Sequence, residues 1–197
     1  MEKLRLGFLG SGKGSNYRAI QEGIGRGEID AETAIVISDV ETAGILDLAR
    51  KFNVRAEYVS PGCFRTKLEP EAEERVASLL SEAGVNLVVL AGYMRMVKDP
   101  LLSTFSGRMI NIHPSLLPAF PGLEAWKQAL AAGVPETGCT VHWVDSGMDT
   151  GPIIAQSKVP ILPGDMAESL HARIQQAEHQ LYPEVVRKIA AGILPFA

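Results

Sequence analysis

The chain has 197 residues, 46% of them hydrophobic and 21% charged, the balance of a folded globular protein long enough to bury a full core in one domain. Its formal net charge of -4 gives no broad attraction to nucleic acid or an anionic membrane, so a ligand phosphate must be held by local donors and the expected partner is small. Cys63 and Cys139 lie far apart and outside any ligand cluster, which reads as reduced thiols, and the start lacks a signal-peptide core, so a cytoplasmic location is expected.

Residues 4–9 read as a buried strand, followed by a glycine-rich turn and a helix over 15–26 with Ile20 and Ile24 one turn apart. A strand over 33–38, a helix over 43–52 and a short strand over 56–59 come next. A helix over 69–83, acidic at its start, leads to the most apolar strand of the chain, 85–91. A short helix over 100–105 precedes a strand over 108–112. This alternation, with strands that are apolar throughout, predicts an α/β fold with a parallel sheet covered on both faces.

The pattern changes after the helix expected over 123–132. Two consecutive strand-like runs, 137–144 and 153–159, predict an antiparallel addition to the sheet. The last element is a long helix over 166–191, expected to be kinked or interrupted near Pro183, with Leu170, Ile174, Leu181, Val185 and Ile189 facing inward. Ligands in open α/β sheets bind beyond the carboxyl ends of strands. That rule selects the loops 10–16, 92–97, 111–122 and 145–151.

Gly10-Ser11-Gly12-Lys13-Gly14-Ser15-Asn16 lies between the first strand and first helix, where backbone N–H groups and the positive helix end suit a phosphate. A dinucleotide fingerprint would need Gly where Ser15 stands, and a P-loop would need Ser or Thr where Gly14 stands. Asp39 is only a weak imitation of a ribose-binding acid. The expected ligand is therefore a monophosphate, and the plain structural alternative is a tight turn with Ser15 or Asn16 as helix cap.

Asn111 and His113 stand two apart at a strand end, so period-two geometry puts both on one side, with Pro114, Pro118 and Pro121 stiffening the adjoining loop. An amide donor and a group that carries protons near neutral pH form a candidate reaction centre; a capping Asn and a surface His are the alternative. Asp145 and Asp149 lie in a glycine-bearing turn. Asp149 is the expected partner of His113, although capping is the usual role of Asp in such turns. His142 reads as a packed or surface strand residue, and Arg173, Glu178 and His179 as a polar face, with Glu178 able to accept hydrogen bonds from a sugar hydroxyl.

Together with Leu90-Ala91-Gly92-Tyr93-Met94-Arg95-Met96, the 111–122 run and the 145–151 loop, these residues resemble the folate-dependent phosphoribosylglycinamide formyltransferase family over almost the whole chain. The resemblance implies a single Rossmann-like formyltransferase domain over 1–197, with 1–107 the ribonucleotide-phosphate half and 108–197 the catalytic and folate half. It implies transfer of formyl from 10-formyltetrahydrofolate to glycinamide ribonucleotide, without a metal, by a monomer or homodimer. Asn111, His113 and Asp149 match the family's catalytic trio; Gly14, Ser15, Asn16 and Glu178 match its ribonucleotide contacts. Met94, Arg95, Met96, Val97 and Val144, with Asn111 and Asp149, match the folate border. Lys67 takes the place of a family arginine, with Arg65 as the alternative, and a Lys lacks the planar fork of Arg.

Within the same fold, methionyl-tRNA formyltransferases carry a further domain and a basic surface, while Pro114 and the Phe120-Pro121-Gly122 ending argue against a formyltetrahydrofolate hydrolase. A sugar-amine formyltransferase would use the same trio but not the phosphate loop. A non-catalytic phosphate sensor is the alternative of a different class.

Overall fold

The computed structural model describes residues 3–197. Thirteen elements follow in chain order: β1 Leu4–Leu9, α1 Ser15–Gly25, β2 Ala31–Ser38, α2 Gly44–Lys51, β3 Ala56–Tyr58, α3 Pro70–Glu82, β4 Leu87–Leu90, α4 Leu101–Thr104, β5 Met109–His113, α5 Ala125–Ala132, β6 Glu136–Trp143, β7 Ile153–Pro160 and α6 Ala167–Ala190. The strands form one sheet in the order β3-β2-β1-β4-β5-β6-β7. Pairs from β3 through β5 are parallel, while β5–β6 and β6–β7 are antiparallel, as the change of pattern after residue 123 predicts.

Alternate side chains of each parallel strand enter different cores. Leu6 and Phe8, Val36, Leu87 and Val89, and Ile110 and Ile112 pack with Tyr17, Ile20, Ile174 and Tyr182. Leu9, Ile35 and Ile37, Val88 and Leu90, and Met109 pack on the other face with Val76, Leu79 and Leu80 of α3. Apolar residues on both sides explain why these strands do not alternate in sequence. Between β1 and β4 the strand order reverses, and the loops leaving them stay tied together: Ser11 N–H donates to Gly92 O at 3.1 Å. A ligand crevice is expected at this point of the sheet.

α6 continues as one helix through Pro183, so of the expected kink or interruption the interruption is absent. An internal proline costs a helix about 3 kcal/mol. Leu170, Ile174, Tyr182, Val185, Val186 and Ile189 are all buried along this helix, and each large apolar side chain removed from water contributes about 1.5–3 kcal/mol, so packing outweighs the break. Leu181, expected inward, is only half-buried; Tyr182 takes the core position instead. Its hydroxyl sits between Leu90 O and Ile110 O at 3.0 and 3.1 Å, pinning α6 behind the carboxyl end of β4 and the first residues of β5.

Candidate active site

β5 extends to His113 and pairs with β6 so that Asn111 faces His142 and His113 faces Thr140 across the ladder. Asn111 and His113 share a side of the sheet, as their spacing predicts, and the cross-strand neighbour completes the set. His142 Nδ1–H donates to Trp143 O at 2.8 Å, which leaves Nε2 as an acceptor for Asn111 Nδ2–H at 3.2 Å. That contact fixes which way the Asn111 amide points. Burial pushes the His142 pKa down, against the pull of the Trp143 carbonyl and the Asp149 carboxylate, and so favours the neutral ring that accepts. His142 is packed, at 3% exposure, as its strand position predicts, and its buried ring also meets the Asn111 amide. Period-two reading of one strand could not find that contact, because it depends on the register between two strands.

His113 is 5% exposed. Its Nε2 lies 2.9 Å from Phe120 O, an acceptor that needs the proton on that nitrogen, and its Nδ1 lies 3.3 Å from Asp149 Oδ2. Asp149 is held in turn: Oδ2 accepts Gly122 N–H at 2.9 Å, and Oδ1 lies 3.8 Å from His142 Nε2. Asp145 caps its own turn through Gly147 N–H and the Thr150 hydroxyl, which separates the two carboxylates into a turn-former and a histidine partner. The 114–121 segment is fastened from β6. Thr140 Oγ1 donates to Ser115 O and accepts Leu117 N–H, and Ser115 Oγ donates to Ala119 O at 2.6 Å.

The glycine loop ends in an uncapped helix. Gly14 is the N-cap at φ 77°, and no side chain caps the first turn, so neither Ser15 nor Asn16 takes the capping role that the alternative reading gave it. A Cβ on Gly14 would meet Ile45 Cγ1 at 2.8 Å, which requires glycine for space as well as conformation. The Asn16 side chain points instead to α6, where Nδ2–H donates to Glu178 Oε2 at 2.9 Å while Oδ1 has no partner among the described residues. Burial raises the Glu178 pKa to about 7 against the opposing Asn16 bond. Arg173, Glu178 and His179 do not form one polar face: Arg173 pairs with Asp165, Glu178 is buried, and His179 lines a hollow of about 320 Å³ with Ser15, Arg18 and Arg26. His171 stacks on Trp126 with ring centroids 3.8 Å apart.

Arg95 turns inward. Its Nε pairs with Asp39 Oδ2 at 2.6 Å and its Nη1 donates to Phe64 O and Lys67 O, while Ser11 Oγ donates to the other Asp39 oxygen. Asp39 is therefore occupied in holding three loops together, which accounts for it without a ribose. Val97 is buried in the second core, Met94 is 61% exposed, and Val144 is half-buried. Lys67 and Arg65 are both exposed; Lys67 Nζ rests 4.5 Å from the centre of the Phe64 ring. No group of three or more His, Cys, Asp or Glu among the described residues is arranged to hold a metal ion, and none of their helices is long and apolar enough to cross a membrane.

Residues 4–186 match the family model described as formyl transferase. A phosphoribosylglycinamide formyltransferase of Bacillus subtilis is 40% identical over 185 residues, covering 94% of each chain. The crystal structure of glycinamide ribonucleotide transformylase 1 from Symbiobacterium toebii superposes with a TM-score of 0.93 at 47% identity, over 99% of this chain and 91% of that one. A formyltetrahydrofolate deformylase from Pseudomonas syringae pv. tomato reaches a TM-score of 0.90 at 26% identity, over 100% of this chain and 64% of its own, so fold alone does not separate a transformylase from a deformylase. The chain belongs to the formyl transferase family.

Proposed function

We propose that this chain transfers the formyl group of 10-formyltetrahydrofolate to the glycine amine of N1-(5-phospho-D-ribosyl)glycinamide, a step of purine synthesis, acting in the cytoplasm as a monomer or homodimer. The observation that carries the reading is the convergence of Asn111, His113 and Asp149 at the end of β5, on a sheet whose first helix begins uncapped beside Gly14. The relatives at 40% and 47% identity carry names for this same reaction.

The residues divide the work by their chemistry. The ribonucleotide phosphate is held by the N–H groups of Gly14, Ser15 and Asn16 at the positive end of α1, and the ribose by Glu178. The folate lies along the backbone of Met94, Arg95, Met96 and Val97, against Val144 and near Asp149, with Lys67 at its outer end. The glycine amine attacks the formyl carbon and forms the new C–N bond. Asn111 donates its second Nδ2 hydrogen to the developing oxyanion, the first being engaged by His142, and the His113 imidazolium adds positive charge. Asp149 orients His113 and holds that charge. As the bond to the folate N10 breaks, the proton lost by the amine reaches that nitrogen through His113 or an ordered water, giving N-formyl ribonucleotide and tetrahydrofolate.

Residues 1–107 then act as the ribonucleotide-phosphate half and 108–197 as the catalytic and folate half of one domain, joined at the ribose by Asn16 and Glu178. Incubation with 10-formyltetrahydrofolate, with and without the ribonucleotide, tests the reading. Folate product forming only when both are present is the expected result; equal release without the ribonucleotide would make the chain a hydrolase, and none with either would leave a ligand sensor.

A further inference from the structure

Glu73 on α3 is 2% exposed, among residues that otherwise form an apolar cluster with Val76, Val97 and Leu101. Its Oε1 accepts the backbone N–H of Lys98 at 3.2 Å, while its Oε2 is sealed from solvent with no partner among the described residues. Burial pushes its pKa up to about 7, the Lys98 N–H opposing and the Asp99 carboxylate adding to the rise. A half-satisfied carboxyl is a costly filler for an apolar site, where a Met or Leu would pack without that penalty. The group does not serve the core, so its use lies in the contact it makes.

That contact is at a junction. Lys98 closes the 92–98 segment, whose other ties include Met96 N–H to Thr66 O at 2.8 Å, the Arg95–Asp39 pair and Met94 N–H to Ser11 Oγ. From the same residue, Lys98 Nζ reaches Ser146 O at 3.1 Å, in the turn that carries Asp149. A shift of the Lys98 backbone therefore moves the 94–97 strip relative to the 145–151 turn, the two walls between which the folate is placed.

We propose that Glu73 is a positioning residue for the folate end of the site, anchoring Lys98 and through it the spacing between residues 94–97 and the turn of Asp149. The inference rests on the reading of 94–97 as the folate border. Glu73 touches neither substrate; it acts through the loop, so its removal weakens folate binding selectively. Glu73→Gln keeps an oxygen acceptor for the Lys98 N–H, whereas Glu73→Met keeps the volume and loses the acceptor.

The experiment varies each substrate in steady state for both variants of the full chain and follows amide hydrogen exchange over residues 94–98. Glu73→Met is expected to raise the KM for 10-formyltetrahydrofolate about tenfold, the scale of one lost hydrogen bond to a charged group, with the ribonucleotide KM unchanged. Exchange at Lys98 speeds up in that variant, and Glu73→Gln restores both readouts to within about twofold of the parent. Should the Met variant fail to fold, Glu73→Ala is held to the same split. An unchanged folate KM, an equal rise in both KM values, or a Gln variant as impaired as Met would overturn the proposal. A parent chain without transfer activity would count against the proposed reaction instead, and slowed or unchanged exchange at Lys98 in Glu73→Met would still refute the anchoring.

Discussion

Asn111→Ala separates the catalytic from the structural part of one side chain. The Asn111 amide has two Nδ2 hydrogens, of which one is spent on His142 Nε2 at 3.2 Å and one is left for the oxyanion. Losing an oxyanion donor costs about 2.7–4 kcal/mol in the transition state, or roughly 10²–10³ in kcat. The same substitution strips the buried His142 acceptor of its donor, a separate penalty of about 1–3 kcal/mol in stability. For a chain of 197 residues each kcal/mol lowers Tm by roughly 2–4 °C. Single-turnover formyl transfer, measured well below the variant's Tm, isolates the first effect, and thermal unfolding reads the second. The ribonucleotide KM should stay within about twofold of the parent, because no part of the Gly14–Asn16 loop depends on Asn111. A single-turnover rate within about threefold of the parent would remove Asn111 from the oxyanion.

Three further outcomes are expected from the same geometry. His142→Phe removes the acceptor that orients Asn111 and should cost about tenfold in kcat, yet add almost nothing in the Asn111→Ala background, a non-additivity that a double-mutant cycle measures. Glu178→Gln bears on stability against pH. The folded-state pKa of Glu178 lies at about 7, above its ordinary 4.5, so the stability this group contributes is complete below the lower value and is lost as pH rises toward the higher one. The Gln variant should therefore gain roughly 3 kcal/mol on the parent between acid and alkaline pH, on the scale of the shift, while its ribonucleotide KM rises; parallel stability curves for the two proteins would contradict this. Gly14→Ala should lower Tm and raise the ribonucleotide KM together, since its Cβ would press on Ile45 at a positive φ; an unchanged ribonucleotide KM would show that the loop does not hold the phosphate.

Much of the scaffold was legible because it depends on local pattern. The strands from Leu4 to Leu9 and Leu87 to Leu90 read as buried because both faces are apolar, and the rule for open α/β sheets then selected the loops at their carboxyl ends. Asn111 and His113 were legible through their spacing, and Asp149 through the chemistry a histidine needs. The residues that escaped depend on contacts between distant segments. His142 entered the site through antiparallel register with Asn111, Asp39 was claimed by Arg95 fifty-six residues away, and Glu73 met Lys98 only when α3 packed beside its loop. Pro183 does not interrupt α6 for a related reason: its local helix-breaking tendency is outweighed by tertiary burial of Tyr182 and Val185 on either side.

In the proposed reaction the formyl carbon passes from folate to the ribonucleotide amine at Asn111 and His113. Supplying 10-formyltetrahydrofolate with an isotopically labelled formyl carbon, together with the ribonucleotide, tests it most directly. The label is expected in the N-formyl amide of the ribonucleotide, with the rate collapsing in Asn111→Ala; label recovered as free formate would rule out transfer to the amine.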